Sequence, residues 1–175
     1  YIEPVELIGG GYSDVTLVST NGDLETTIEI EPGMEDANGN VVTRSDGQPL
    51  TAAVRLVGVG GVTISGFQIV SNGLTGVSVD VSSLGAGIKP NVISNNTIFG
   101  NRVGVERVMQ SANVGRTKGL RLENNVIWAN SSSAVVIQGA RGTVSSPALP
   151  ADIVNNTIVF NQEGVRLENI GVGVP

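Results

Sequence analysis

The sequence predicts an all-β protein, a right-handed parallel β-helix solenoid of about five coils. Two observations support this prediction: one segment recurs four times at near-constant spacing, and the composition favours short strands and tight turns. Of the 175 residues, 24 are Gly and only 3% are aromatic. Abundant Val, Ile and Thr suit strands, and Gly, Asn and Ser suit the turns between them.

The repeat is a segment of nine residues. Residues 93–101, 122–130 and 153–161 superimpose almost residue for residue, and residues 64–72 keep the apolar positions and the final Asn. The offsets between successive copies are 29, 29 and 31 residues. Units this short cannot bury their apolar faces alone, so successive copies must stack into one continuous core.

Alternating apolar positions predict two inward ladders, in which equivalent residues of successive coils stack inside the cylinder. One ladder comprises Ile64, Ile93, Leu122 and Ile153, and the other comprises Ile69, Ile98, Ile127 and Ile158. A third strand recurs in each coil, as in Val105-Glu106-Arg107. Each coil therefore holds three short strands.

Asparagine pairs lie between the two ladders, where the chain must turn sharply: Asn95-Asn96, Asn124-Asn125 and Asn155-Asn156. Asn tolerates the left-handed backbone conformation, and its amide can bond the equivalent amide one coil away. The turns are therefore predicted to form an asparagine ladder. A second ladder is predicted from Asn72, Asn101, Asn130 and Asn161.

The pattern I-x-N-N-T-I-x-x-N resembles the repeat of the pectate-lyase-like right-handed β-helix superfamily, over roughly residues 5–170. The resemblance implies the fold and an extracellular or cell-surface location in a bacterium. It does not select a function, because that superfamily includes polysaccharide lyases, polygalacturonases, epimerases, phage tailspikes and non-catalytic surface proteins.

Charge and hydropathy narrow the classes of partner. The net charge is −6 without a Lys/Arg cluster, which argues against nucleic acid. No apolar run reaches membrane-spanning length, so we expect no membrane insertion. Because no linker interrupts the chain, residues 1–175 are predicted to be a single β-helix domain, which we expect to be a piece of a longer surface or secreted protein.

Catalytic residues are hard to find in this chain. It contains no His, which the superfamily's polygalacturonases and epimerases use. Lyases instead need an Arg base and a carboxylate cage for Ca²⁺. The predicted outward row of the third strand mixes charges: Glu6, Arg55, Ser78, Glu106, Val136 and Arg166. We expect no catalytic site, and the alternative is a polysaccharide lyase that uses Asp80, Glu106 and Arg166.

The segment 31–46 is rich in oxygen ligands but lacks the spacing of a calcium loop. We therefore expect no metal ligands and no cofactor, with Ca²⁺ at this segment as the alternative.

An apolar stripe follows the second ladder, at Val70, Phe99, Trp128 and Val159. Alternation places it on the outer wall of its strand. Either a segment such as 32–51 or 139–150 covers the stripe, or it is a platform for a polysaccharide or another protein. The sequence thus predicts a non-catalytic extracellular module, acting as a rigid stalk, a spacer or a binding surface, and the alternative is a carbohydrate-active enzyme.

Overall fold

The computed structural model describes residues 4–9, 14–20, 26–81, 89–109, 119–139 and 151–168. These residues form sixteen short strands: β1 (Val5–Ile8), β2 (Thr16–Val18), β3 (Thr27–Glu29), β4 (Ala52–Val57), β5 (Thr63–Ser65), β6 (Gln68–Val70), β7 (Thr75–Asp80), β8 (Asn91–Ser94), β9 (Thr97–Phe99), β10 (Val103–Val108), β11 (Leu120–Glu123), β12 (Val126–Trp128), β13 (Ser133–Gln138), β14 (Asp152–Val154), β15 (Thr157–Val159) and β16 (Glu163–Glu168).

The strands stack into three parallel sheets. Sheet A has the order β1-β4-β7-β10-β13-β16, sheet B has β2-β5-β8-β11-β14, and sheet C has β3-β6-β9-β12-β15. Each step from one coil to the next adds one strand to every sheet, which is the topology of a parallel β-helix. Five complete coils follow β1, and they confirm the predicted fold and coil number.

Both predicted ladders line the interior. Ile64 pairs with Ile93, Ile93 with Leu122 and Leu122 with Ile153 in sheet B, and Leu17 extends this ladder to the first coil. In sheet C, Ile28 likewise extends the ladder of Ile69, Ile98, Ile127 and Ile158. In the middle coils these side chains are fully buried. The repeat sets this register because slipping a strand by one residue would turn its apolar face to solvent.

The turns between sheets B and C follow the predicted chemistry. The first Asn of each pair has a left-handed backbone conformation, with φ of 55° at Asn95 and Asn124 and 53° at Asn155. The second Asn turns inward, and the Asn96 amide donates to Asn125 Oδ1 at 3.1 Å. Asn125 in turn donates to Asn156 Oδ1 at 2.9 Å, which completes the ladder.

The second ladder runs through Asn101, Asn130 and Asn161. The side-chain amide of Asn101 donates a hydrogen bond to Asn130 Oδ1 at 2.9 Å, and that of Asn130 donates to Asn161 Oδ1 at 2.8 Å. The prediction for Asn72 is wrong. One more residue separates Ile69 from Thr75 than separates their register partners Ile98 and Val103, so Ser71 takes the ladder position. Its hydroxyl bonds Asn101 Oδ1 at 2.7 Å, whereas Asn72 is exposed and donates to Glu29.

Residues 31–51 form a compact excursion between β3 and β4. Two isolated antiparallel bridges, Glu35 with Val41 and Thr43 with Pro49, shape it. Met34 and Leu50 are buried against the core, and the Ser45 amide donates to Glu6 Oε2 on β1 at 2.8 Å. The segment therefore packs beside the first strand of sheet A.

Candidate functional site

The outward row of sheet A has the predicted register. Glu6 pairs with Arg55, Arg55 with Ser78, and Ser78 with Glu106; Glu106 and Arg166 flank Val136 on either side. Glu6 and Arg55 form an ion pair at 3.2 Å. Burial raises the pKa of Glu6, but hydrogen bonds from Ser45 and Arg55 outweigh it and leave that pKa lowered. This end of the row is a structural ion pair.

The three residues of the lyase alternative lie in different coils. Arg166 is two coils from Glu106 and forms ion pairs with its own neighbours, Glu168 at 2.9 Å and Glu163 at 3.6 Å. Asp80 is register partner to Val108, two residues along the strand from Glu106. Burial is the main cause that raises the pKa of Glu106. A raised pKa on one carboxyl is not a calcium cage, which needs several carboxylates together.

Arg107 is a residue whose unusual environment the sequence did not reveal. It occupies an inward position of β10, between Val79 and Ile137, and its side chain is fully buried. Its contacts with Gln138 O at 3.4 Å and Met109 Sδ at 3.7 Å are weak, and Nε has no partner among the described residues. Burial lowers its pKa to about 10.

The oxygen-rich segment uses its carboxylates in turns. Asp36 Oδ1 accepts the backbone amides of Asn38 and Asn40 at 2.8 and 2.9 Å, and Asp46 accepts that of Gln48 at 3.1 Å. The hydrogen bonds from Asn40 and Asn38 lower the pKa of Asp36. The hydrogen bond from Gln48, together with the nearby charge of Arg44, lowers the pKa of Asp46. Over the part of the chain that the structure describes, His, Cys, Asp and Glu form no cluster suited to a metal ion.

The aromatic row of sheet C, which we define as Phe99, Trp128 and Val159, is the most distinctive surface of the molecule. Trp128 is register partner to both of the others. The rings of Phe99 and Trp128 stack with centroids 5.0 Å apart and 16° between their planes. Trp128 remains 37% exposed, so the excursion 31–51 does not cover it; residues 140–150 lie outside the described residues.

Val70, which was predicted to belong to this stripe, is buried. A Cβ added at Gly100 would meet its side chain at 3.4 Å, and β6 is paired with β9 only through Gln68 and Ile69. Val70 keeps the outward register of Glu29, its partner on β3, but its side chain is covered and not exposed.

Two further residues widen the apolar surface beside the row. Val126 faces outward on β12 and is 39% exposed. Phe160 is 88% exposed and has a left-handed φ of 53°, at a corner where the two earlier coils have Gly100 and Ala129. The sequence contained a signal for Phe160, because the repeat aligns this bulky residue with Gly100 and Ala129, which occupy the same left-handed corner.

Comparison with known proteins adds one match. The family model described as "Periplasmic copper-binding protein (NosD)" matches residues 13–172. Neither the curated proteins nor the solved structures gave a match to the chain. The match covers nearly the whole solenoid and confirms a bacterial protein that works outside the cytoplasm. It does not confirm the narrower resemblance to the pectate-lyase-like superfamily.

This match corrects the expectation of no cofactor, because the family is described by copper binding. The donor set of this chain does not fit a copper ion, however. Copper sites in proteins are built mainly from imidazole, thiolate and thioether ligands, and the chain has no His, no Cys and two Met. Met34 is buried beside the first coils and Met109 lies against Arg107.

No helix in the described parts of the chain is long and apolar enough to span a membrane.

Proposed function

Because the chain belongs to the NosD family, we propose that it is a non-catalytic periplasmic β-helix module that binds another protein through the aromatic row of sheet C. The observation that supports this proposal is the stack of the half-buried Phe99 on the exposed Trp128, continued by the exposed Val159. Exposed apolar surface that is contiguous over several residues is typical of protein interaction sites.

The geometry of the stack favours a protein over a polysaccharide. A sugar ring binds by lying on a free aromatic face. Here one face of Trp128 is covered by Phe99, and its register partner on the other side is Val159. The row therefore presents ring edges and a valine to the outside, a surface that apolar side chains of a partner can cover.

Phe160 supports the same assignment. A bulky residue with a left-handed φ is disfavoured by roughly 1 kcal/mol or more, and its exposed ring gains nothing from burial within the chain. Strain kept at an exposed aromatic residue next to an apolar row is expected where that residue contacts a partner. Aromatic residues dominate the binding energy of many interfaces.

A site-specific photo-crosslinker tests this proposal in cells that produce the protein. With the crosslinker at position 128 we expect a discrete protein adduct, and with the crosslinker at Val18 we expect none. Val18 is a matched control because it is an exposed apolar residue on sheet B. The purified partner should then bind the wild-type chain and bind a Phe160→Gly variant about tenfold or more weakly, as expected for an interface anchor.

Two outcomes would contradict the proposal. One is equal adduct formation at positions 128 and 18. The other is a change in the fluorescence of Trp128, the single Trp of the chain, on titration with pectate, alginate or glycosaminoglycan in the absence of any protein adduct. The second result would assign the row to carbohydrate.

A further inference from the structure

We infer that the protein bound by the aromatic row places a Lys or Arg side chain in an acidic pocket on the same face of the solenoid. The acidic pocket is a cavity of about 300 Å³ beside β3, and six residues line it: Glu29, Ile30, Glu31, Met34, Glu35 and Asn72. The inference rests on the proposed function, because it specifies the chemistry of the partner that the row binds.

The aromatic row and the acidic pocket lie on one line across sheet C. Phe99 and Trp128 are the third residues of β9 and β12, and Glu29 is the third residue of β3. Val70 is register partner to Glu29 and fills the position between Glu29 and Phe99. With strands about 4.8 Å apart, three strand steps place Trp128 roughly 14 Å from Glu29 along the axis of the solenoid. One partner segment can therefore contact both features.

Charge is confined to one end of this face. The outward residues of the five strands of sheet C are Thr27, Glu29, Gln68, Val70, Thr97, Phe99, Val126, Trp128, Thr157 and Val159. Glu29 is the one charged residue among these ten. Arg102 is exposed on the turn after β9, but it acts on Glu106 of sheet A, where its charge opposes the rise in pKa that burial causes. A partner therefore meets neutral surface along the row and negative charge at the acidic pocket.

The walls of the acidic pocket suit the long cationic side chains of Lys and Arg. Glu29, Glu31 and Glu35 are exposed, and none of them forms an ion pair with a described residue. Ile30 and Met34 are buried and form the apolar part of the lining. Lys and Arg combine a methylene stem with a terminal charge, so the stem can pack on the apolar part while the charge reaches the carboxylates.

The carboxylates of the acidic pocket are not arranged for a metal ion. Over the described ranges of the chain, His, Cys, Asp and Glu form no group that could hold one. Glu29 Oε1 accepts a hydrogen bond from the Asn72 side-chain amide at 3.2 Å, and this neutral donor orients the carboxylate without cancelling its charge. A side-chain cation needs fewer converging oxygens than Ca²⁺, which takes about six to eight. The pocket therefore favours an organic cation.

The distance between the two features sets the spacing in the partner. An extended segment rises about 3.3 Å per residue, so four residues span roughly 13 Å, close to the separation of Trp128 and Glu29. Residues four apart in an extended segment also point to the same side. The occupant is thus an extended segment that places an apolar residue on Trp128 and a Lys or Arg four positions along. A second copy of this chain is a poor occupant, because its net charge is −6.

The affinity of the partner isolated through the position-128 adduct tests this inference. The test variant combines Glu29→Gln, Glu31→Gln and Glu35→Gln. We expect it to bind the partner about fivefold or more weakly at an ionic strength of about 0.1 M, because charge attraction at the pocket is lost. Rising salt should weaken binding by the wild-type chain and have much less effect on the variant.

The matched control removes the same net charge elsewhere. It combines Asp14→Asn, Glu123→Gln and Asp152→Asn, three positions on or next to strands of sheet B. We expect its affinity to change by less than about twofold, because screening limits the reach of charges that do not face the partner. Thermal unfolding of both variants checks that each is folded.

Equal affinity of the test variant and the control, or wild-type binding that does not depend on salt, would overturn the inference and leave the proposed function intact, since the row would still bind its partner. A position-128 adduct that contains two copies of this chain would overturn it as well. Absence of any adduct at position 128 would contradict the proposed function itself and this inference with it.

Discussion

At the scale of single residues, Arg107 is the least expected feature of the core. Its register partners Val79 and Ile137 are aliphatic, and the guanidinium in that position loses its hydration without a hydrogen bond to a carboxylate of the described residues. The segments 82–88, 110–118 and 140–150, which lie outside the described residues, contain no Asp or Glu. Gly119 lies close to this side chain: an added Cβ would be 3.3 Å from Arg107 Nε and 2.9 Å from Val81 Cγ1.

We expect Arg107→Met to raise the free energy of unfolding by about 1–3 kcal/mol, since an apolar side chain replaces a buried, poorly paired charge. The folded-state pKa of about 10 lies below the usual value, so the penalty is complete below pH 10 and is relieved as the pH rises through that value. The gain should therefore be constant between about pH 5 and 8. Urea unfolding at several pH values measures it.

Arg55→Met is the matched control, because Arg55 lies on the same sheet but faces outward and is paired with Glu6. This change should lower stability by about 1 kcal/mol or more, because it leaves the largely buried Glu6 without its ion-pair partner. Destabilisation by Arg107→Met to the same extent or more would mean that the buried guanidinium is well satisfied and that its environment has been misjudged.

At the scale of elements, the asparagine turns hold the coils in register. Asn125 is buried and lies at the centre of its ladder: its amide donates to Asn156 and to Ile93 O, and its Oδ1 accepts from Asn96. Its neighbour Asn124 has a different role, which is to supply the left-handed backbone of the turn. The two residues can therefore be distinguished by substitution.

We expect Asn125→Ala to lower the free energy of unfolding by about 2–4 kcal/mol, because it leaves buried backbone and amide groups without partners. Asn124→Gly should change it by less than about 0.5 kcal/mol, because Gly adopts a left-handed φ readily. Urea unfolding of both variants checks this prediction. Similar losses in the two variants would show that the ladder contributes no more than the turn conformation does.

How far the sequence predicts each element depends on repetition. The inward ladders and the asparagine turns recur at equivalent positions, so four copies of the pattern determined their register. Asn72 was wrongly assigned to the second ladder because a single extra residue in one turn is invisible to an alignment of equal lengths. The burial of Val70 depends on its neighbours, which the alignment does not report. The excursion 31–51 occurs once, and its bridges depend on tertiary contacts that no repeat reports.

In the candidate site, too, the sequence predicts the features that recur in the repeat and misses those that depend on tertiary contacts. The alternation of apolar residues placed Phe99, Trp128 and Val159 on the outer wall, but it could not say how the two rings meet or how much of Trp128 is open. The inward position of Arg107 was contained in the repeat, although local pattern alone does not show which groups surround its side chain.

At the scale of the whole molecule, a uniform core supports surfaces that differ between the three sheets. Sheet A carries ion pairs, whereas sheet C carries the aromatic row. This division is expected of a rigid solenoid, in which the inward residues are fixed by stacking while outward residues are free to vary. Membership of a periplasmic family is consistent with a non-catalytic periplasmic module.

The measurement that tests this account most directly is acrylamide quenching of Trp128 fluorescence in the free protein. Because Trp128 is the single Trp, the signal reports on the aromatic row alone. We predict quenching intermediate between that of a buried indole and that of free tryptophan, and stronger quenching in Phe99→Ser, where one face of the indole is uncovered. Emission typical of a fully buried indole, with little quenching in either protein, would show that part of the chain covers the row and would contradict its proposed role as a binding surface.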